Sequence, residues 1–181
     1  MYRYAAWEVL VSFITQRPDV FKNKEDIIMD REALKVSLEK WCKKLRISTS
    51  WDVKLEFVEE QGFRKTGDIK IDCHDKKAIV MLNVLNPKQE NPEEVIVHEL
   101  MHLKLYPMDQ LTESLITSCF CDGTTEYNFV YNQFFAALEQ TVEELTKCFL
   151  LEFGDNTNLS FGRCRDSKSF DEQYEGLKNL T

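Results

Sequence analysis

Hydrophobic positions along the chain follow two periods, one typical of helices and one typical of strands. The segment that begins at Asp30, a residue suited to an N-cap, carries apolar side chains every three or four positions, which predicts a helix. From Trp51 the period changes to two, as in a half-buried strand. Further on, Ala78 to Val84 is almost wholly apolar, as in a strand covered on both faces. Residues 51–84 therefore predict three antiparallel strands, of which the last two form a hairpin.

Two long helices are predicted after the hairpin. Asn91 is placed to cap the first, Pro92 to occupy its first position, and Pro107 to end it at about Tyr106. The second is expected from about Tyr127 to Glu152. Its apolar stripe consists of Phe135, Leu138, Val142, Leu145 and Phe149. Strands followed by helices indicate the α+β class.

The length of 181 residues favours a single domain. Within it we expect an N-terminal helical extension at residues 1–30 and a core at residues 31–153. The polar and only faintly periodic residues 154–181 are expected to form a loosely held tail.

Composition and charge argue against several kinds of partner. The formal net charge of −8 has the wrong sign for binding nucleic acid or an anionic membrane surface. No apolar run approaches the ~20 residues that cross a bilayer. The six cysteines form no CxxC pair and no dense disulfide framework. We therefore expect a cytoplasmic protein with neither nucleic-acid nor membrane partners.

The first long helix contains the motif His98-Glu99-Leu100-Met101-His102, an HExxH. A spacing of four places both imidazoles on one face of the helix, so that both can bind one divalent ion. Glu99 is rotated by about 100° from His98, which places it beside the open coordination position of such an ion. The motif predicts a Zn²⁺ site bound by His98 and His102, with Glu99 as general base.

A catalytic zinc site needs a third protein ligand. The chain has three histidines, and His74 lies in the predicted hairpin turn, so a carboxylate is the expected ligand. On the second long helix Glu139 lies nearest to the apolar stripe, Glu143 further from it, and Glu144 opposite. We predict Glu139 as the ligand. Glu143 is either an acceptor for the second N–H of a ligand histidine or the ligand itself.

These residues resemble a known family. The HELMH motif and the stretch Glu139-Gln140-Thr141-Val142-Glu143 are similar to the motifs of the gluzincin branch of the zincin metallopeptidases, in its minimal single-domain form. The resemblance covers roughly residues 30–153. It implies a core made of a small mixed sheet, an HExxH helix and a packed glutamate helix. Together with the strand pattern of residues 51–84, we expect this zincin-like sheet to be small and mostly antiparallel. Tyr106, Tyr127 and Tyr131 are the candidates for the transition-state stabiliser.

The sequence thus predicts a zinc-dependent metallopeptidase that acts on a peptide or protein substrate. One alternative is a regulatory or adaptor domain that keeps zinc for stability and binds a protein partner without cleaving it. Another is a metallohydrolase that acts on a non-peptide amide. If the substrate is a peptide, we expect it to pair with an exposed strand edge, either Ala78–Val84 or Ile69–Cys73.

Overall fold

The structure is a computed structural model that describes residues 30–159, 164 and 167–174. The described residues from Glu32 onward belong to one compact unit. Apart from Asp30, the predicted N-terminal extension lies outside the described residues.

The described elements form an α+β fold with a small mixed sheet, so the predicted class is confirmed. In chain order they are α1 (Arg31–Lys44), β1 (Asp52–Val58), β2 (Gly67–Asp72), β3 (Lys77–Asn83), α2 (Pro92–Cys119), α3 (Thr125–Phe153) and α4 (Phe170–Tyr174). None of the helices in the described part of the chain has both the length and the apolarity that a membrane span needs.

The sheet has the strand order β1-β3-β2. Strand β2 pairs antiparallel with β3, as the hairpin prediction required, but β1 pairs parallel with β3. The prediction of a mostly antiparallel sheet made of three antiparallel strands is therefore wrong for β1. The prediction that Ala78–Val84 could be a free edge is also wrong, because β3 has a partner on each side. Alternation with a period of two shows burial but not strand direction, which depends on where the connection 59–66 leads.

Helix α2 is the central element of the core. It contacts both the sheet, through β2 and β3, and helix α3. The most deeply buried apolar side chains come from these layers and from α1 with the connection that follows it: Trp41, Ile47, Val80, Ile96, Val97, Leu100, Val142 and Leu150, each at most 1% exposed. The helix that carries the HExxH motif is thus held on several sides.

The start of α2 matches the sequence prediction. The side chain of Asn91 accepts hydrogen bonds from the backbone N–H groups of Glu93 and Glu94, at 3.1 and 3.3 Å, and Pro92 opens the helix. These contacts satisfy two of the N–H groups that a helix start leaves without a partner in the helix. The cap fixes where α2 begins, and therefore which side chains face the sheet.

The carboxylate of Glu93 ties the start of α2 to two other parts of the chain. It accepts hydrogen bonds from the indole N–H of Trp41 at 2.8 Å and the ammonium of Lys40 at 3.0 Å. It also accepts from the backbone N–H groups of Asp155 and Asn156, at 3.1 and 3.0 Å. Burial acts to raise the pKa of Glu93, but these donors outweigh it and the pKa is lowered. Residues 155 and 156, at the start of the predicted tail, are thereby anchored to α1 and α2.

Helix α2 does not end at Tyr106, contrary to the sequence prediction. It continues through Pro107 to Cys119. A proline inside a helix has no N–H to donate to the carbonyl four residues earlier, here that of Leu103. Helix α2 packs against α3, and Ile116, which lies beyond the proline, is only 5% exposed. Tertiary packing of the last turns therefore outweighs the local effect of the proline.

Candidate metal centre

Two ring nitrogens converge on one face of α2. The Nε2 atoms of His98 and His102 lie 3.3 Å apart, and the two rings meet edge to face with centroids 5.0 Å apart. Both side chains are largely buried, at 18% and 20% exposed. This is the arrangement predicted from the four-residue spacing.

Glu139 of α3 completes the group. Its Oε1 lies 3.3 Å from Nε2 of His102, and its Oε2 lies 3.7 Å from Nε2 of His98. The potential ligand atoms of the three residues all lie within 4.8 Å of one another, so the group could hold a metal ion. Within the described ranges, no other set of three histidine, cysteine or carboxylate side chains converges in this way.

Glu143 lies behind His98. Its Oε2 is 3.3 Å from Nδ1 of His98, the ring nitrogen that does not face Glu139, and its Oε1 is 2.9 Å from the ammonium of Lys147. The hydrogen bond with His98, followed by that with Lys147, lowers the pKa of Glu143 to about 2. Burial acts to lower the pKa of His98, but Glu143 and the neighbouring Glu99 outweigh it, and the pKa is raised. Glu143 thus contacts His98 on the side of the ring away from the converging group.

The inward face of α3 differs in part from the predicted stripe. Its buried residues recur every four positions: Leu138, Val142, Thr146 and Leu150. Phe135, predicted to be in the stripe, is 49% exposed, because the buried face passes through residue 138 and turns away from residue 135. Glu139 and Glu143 directly follow two buried positions, whereas Glu144 is exposed. Glu139 is therefore the most buried of the three glutamates, Glu143 is more exposed and Glu144 the most exposed, as predicted.

The side chain of Glu99 extends from α2 toward the start of β2. The side chain is buried, with the residue 7% exposed. Burial raises the pKa of Glu99 to about 7, against the lowering effect of His98 and His102 and with a further raising effect of Asp68. A carboxyl group with such a pKa can both take up and release a proton near neutral pH.

The three candidate tyrosines lie at different distances from the histidines. Tyr106 follows His102 by one turn of α2. Tyr127 and Tyr131 stack on each other, with ring centroids 5.8 Å apart. At ~1.5 Å per residue, they lie about 18 and 12 Å from Glu139 along the helix axis. Of the three, Tyr106 is best placed to reach the centre, and its role stays a prediction.

Two residues beside the centre were not predicted from the sequence. Lys147 could have been found from its position, because it follows Glu143 by four residues on a helix. Gly67 lies in contact with Glu99 at the start of β2. A glycine within a strand pattern is a signal of close approach by another part of the chain.

Comparison of the chain with known proteins found no matching family model, no matching curated protein and no matching solved structure.

Proposed function

We propose that the protein is a zinc-dependent metallopeptidase with a zincin-like fold. The observation that carries the proposal is the spacing of the three potential ligand atoms. In a tetrahedral site with ligands at about 2.0–2.1 Å from zinc, neighbouring ligand atoms lie about 3.3–3.4 Å apart. The two Nε2 atoms lie 3.3 Å apart, and the Glu139 carboxylate comes within 3.3 Å of His102 through Oε1 and within 3.7 Å of His98 through Oε2. Two imidazoles and one carboxylate suit zinc better than Mg²⁺ or Ca²⁺, which prefer oxygen ligands throughout.

The surrounding residues support a catalytic role. When bound, zinc would lower the pKa of a coordinated water to about 7 and polarise a substrate carbonyl. Glu99 would act as general base, since its buried carboxylate directly follows His98 on the helix and would take a proton from the water and pass it to the leaving amine. Glu143 would accept a hydrogen bond from Nδ1 of His98, which leaves Nε2 of that ring unprotonated and directed toward Glu139.

Glu99 also favours an enzyme over an adaptor domain. A structural zinc site normally closes with a fourth protein ligand, whereas a catalytic site has three and an open position. In the described part of the chain the converging group has three members. Burying a carboxylate beside it is costly and serves no purpose in a site that only stabilises the fold.

Metal analysis together with peptide cleavage tests the proposal. The purified protein is expected to hold about one zinc per chain and to cleave members of a mixed peptide library. His98→Ala should lose both the metal and the cleavage, because one of the three ligands is removed. His74→Ala is the matched control, since His74 is exposed in the turn between β2 and β3 and should retain both.

Each contrary outcome has a distinct meaning. Full zinc content in His98→Ala would contradict the site. A zinc-loaded wild-type protein that cleaves no peptide would favour the adaptor domain. Cleavage restricted to non-peptide amides would favour the other class of hydrolase.

Strand β2 is the edge best placed to bind an extended substrate. At one end of the strand, Gly67 lies against Glu99. At the other end, Asp72 and the following Cys73 lie near Tyr106, where they add to the effect of burial in raising the pKa of Tyr106. Strand β2 thus runs beside α2 from Glu99 toward Tyr106. The N–H of Asn83 in β3 donates to the carbonyl of Thr66 at 3.0 Å, which sets the alternation of the ladder. By that alternation, the backbone N–H groups of Ile69 and Ile71 point away from β3.

A proline tests this edge. Ile71→Pro removes one outward N–H and should raise KM for peptides severalfold while leaving kcat and zinc content close to wild type. The outward N–H of Ile69 is less useful as a target, because it donates to the side chain of Asp68 at 3.1 Å. Ile71→Val keeps the N–H and is the control. A folded, zinc-loaded Ile71→Pro protein with unaltered KM would contradict pairing at this position of the edge.

A further inference from the structure

The carboxylate of Glu99 lies directly against the first residue of the edge strand β2. A Cβ atom added at Gly67 would stand 2.7 Å from Oε1 and 3.3 Å from Cδ of Glu99, and would overlap Cγ1 of Val95. Real Cβ atoms essentially never approach another heavy atom closer than 3.0 Å. The φ angle of Gly67 lies outside the left-handed region, so its backbone conformation is open to other residues. It is the space beside Val95 and Glu99, and not the backbone, that requires a glycine.

We infer that Gly67 is a positioning residue for Glu99. The inference rests on the proposed function, in which Glu99 is the general base. The absence of a side chain at Gly67 lets β2 approach α2 closely enough to bury the carboxylate beside the two histidines. Val95 and Glu99 are one turn apart on α2, so both belong to the helix face that meets β2.

Of the two side chains that a new Cβ would meet, Glu99 has the greater freedom to move. Val95 is 5% exposed and β-branched, which restricts its χ1 angle and leaves it little room to turn away. Glu99 is longer and unbranched, and its contact with the new Cβ is made by the carboxylate at the end of the side chain. A misplacement of about 1 Å at a catalytic group can lower a rate by about a hundredfold.

Gly67→Ala is the direct test. We expect its kcat for peptide cleavage to fall by about tenfold to a hundredfold, with KM and zinc content close to wild type, because the ligands His98, His102 and Glu139 are not touched. Gly62→Ala is the matched control. A Cβ at Gly62 meets nothing within 4 Å, so this variant should stay within about twofold of wild type.

Two further variants separate positioning from a general effect on the fold. In a Glu99→Gln background, Gly67→Ala should cause no additional loss of kcat, because the base that it displaces is already absent. A general structural defect would lower the residual rate again. When Gly67→Ala is combined with Val95→Ala, the new Cβ atom no longer overlaps the side chain at position 95 but still overlaps the Glu99 carboxylate. The value of kcat should therefore stay low. Full recovery in that double variant would mean that the loss came through Val95, and would overturn the inference.

A readout that does not depend on activity completes the test. Crystal structures of Gly67→Ala, with and without zinc, should show the Glu99 carboxylate displaced by about 1 Å or more from its wild-type place. An unmoved carboxylate, or a wild-type kcat in Gly67→Ala, would overturn the inference. If the wild-type protein cleaves no substrate, the proposed function fails, while the displacement of Glu99 in the crystal still tests the positioning role.

Discussion

Glu99→Gln is expected to hold about one zinc per chain and to keep the fold, while kcat for peptide hydrolysis falls by about 10²–10⁴-fold. The amide has nearly the size of the carboxylate, so the buried space between α2 and β2 stays filled. It cannot accept the proton that a general base must take. Zinc content and single-substrate kinetics on the same preparation measure the two effects separately.

Glu56→Gln serves as the control for this substitution. Glu56 is exposed on β1, so the same change of charge there should leave both zinc content and kcat unaltered. Unchanged turnover in Glu99→Gln would refute the role of Glu99 as base. Loss of zinc in that variant would instead place Glu99 among the ligands.

The parts of the centre that sequence predicts are those fixed by local geometry. The spacing of His98 and His102 within one helix determines where the two rings point, because the helical repeat acts over four residues. The order of Glu139, Glu143 and Glu144 relative to the core also follows from one helix, once its inward face is known. The predicted inward face of α3 was accurate enough to rank these three glutamates by their distance from the core, although Phe135, predicted to be buried, is exposed.

The parts that sequence does not predict depend on contacts between distant segments. The alternating pattern of β1 is the same for parallel and antiparallel pairing, so its direction could not be derived. Pro107 predicts a helix end by a local rule, but α2 continues beyond it because burial of Ile116, nine residues later, stabilises the last turns. The need for a glycine at position 67 can be recognised only once it is known that β2 packs against Glu99. Each of these features requires knowledge of which elements pack together.

Glu139→Gln should weaken zinc binding by more than the hundredfold that loss of an orienting partner costs, because it removes a charged ligand from the converging group. Glu143→Gln should weaken it only about tenfold to a hundredfold, or about 1.4–2.8 kcal/mol. The amide oxygen at position 143 can still accept a hydrogen bond from Nδ1 of His98, but the negative charge is lost. Competition with a zinc chelator of known affinity measures both values.

Glu144→Gln is the control for both substitutions, since Glu144 is exposed on the same helix and should bind zinc as wild type does. The reverse order of effects would make Glu143 the ligand and Glu139 the orienting residue. That outcome would require α3 to turn about its axis, because Glu143 now contacts Nδ1 of His98 and the ammonium of Lys147. Glu139, in contrast, already lies within 3.7 Å of both Nε2 atoms. The distances therefore favour Glu139 as the stronger ligand, and the two affinities decide between the assignments.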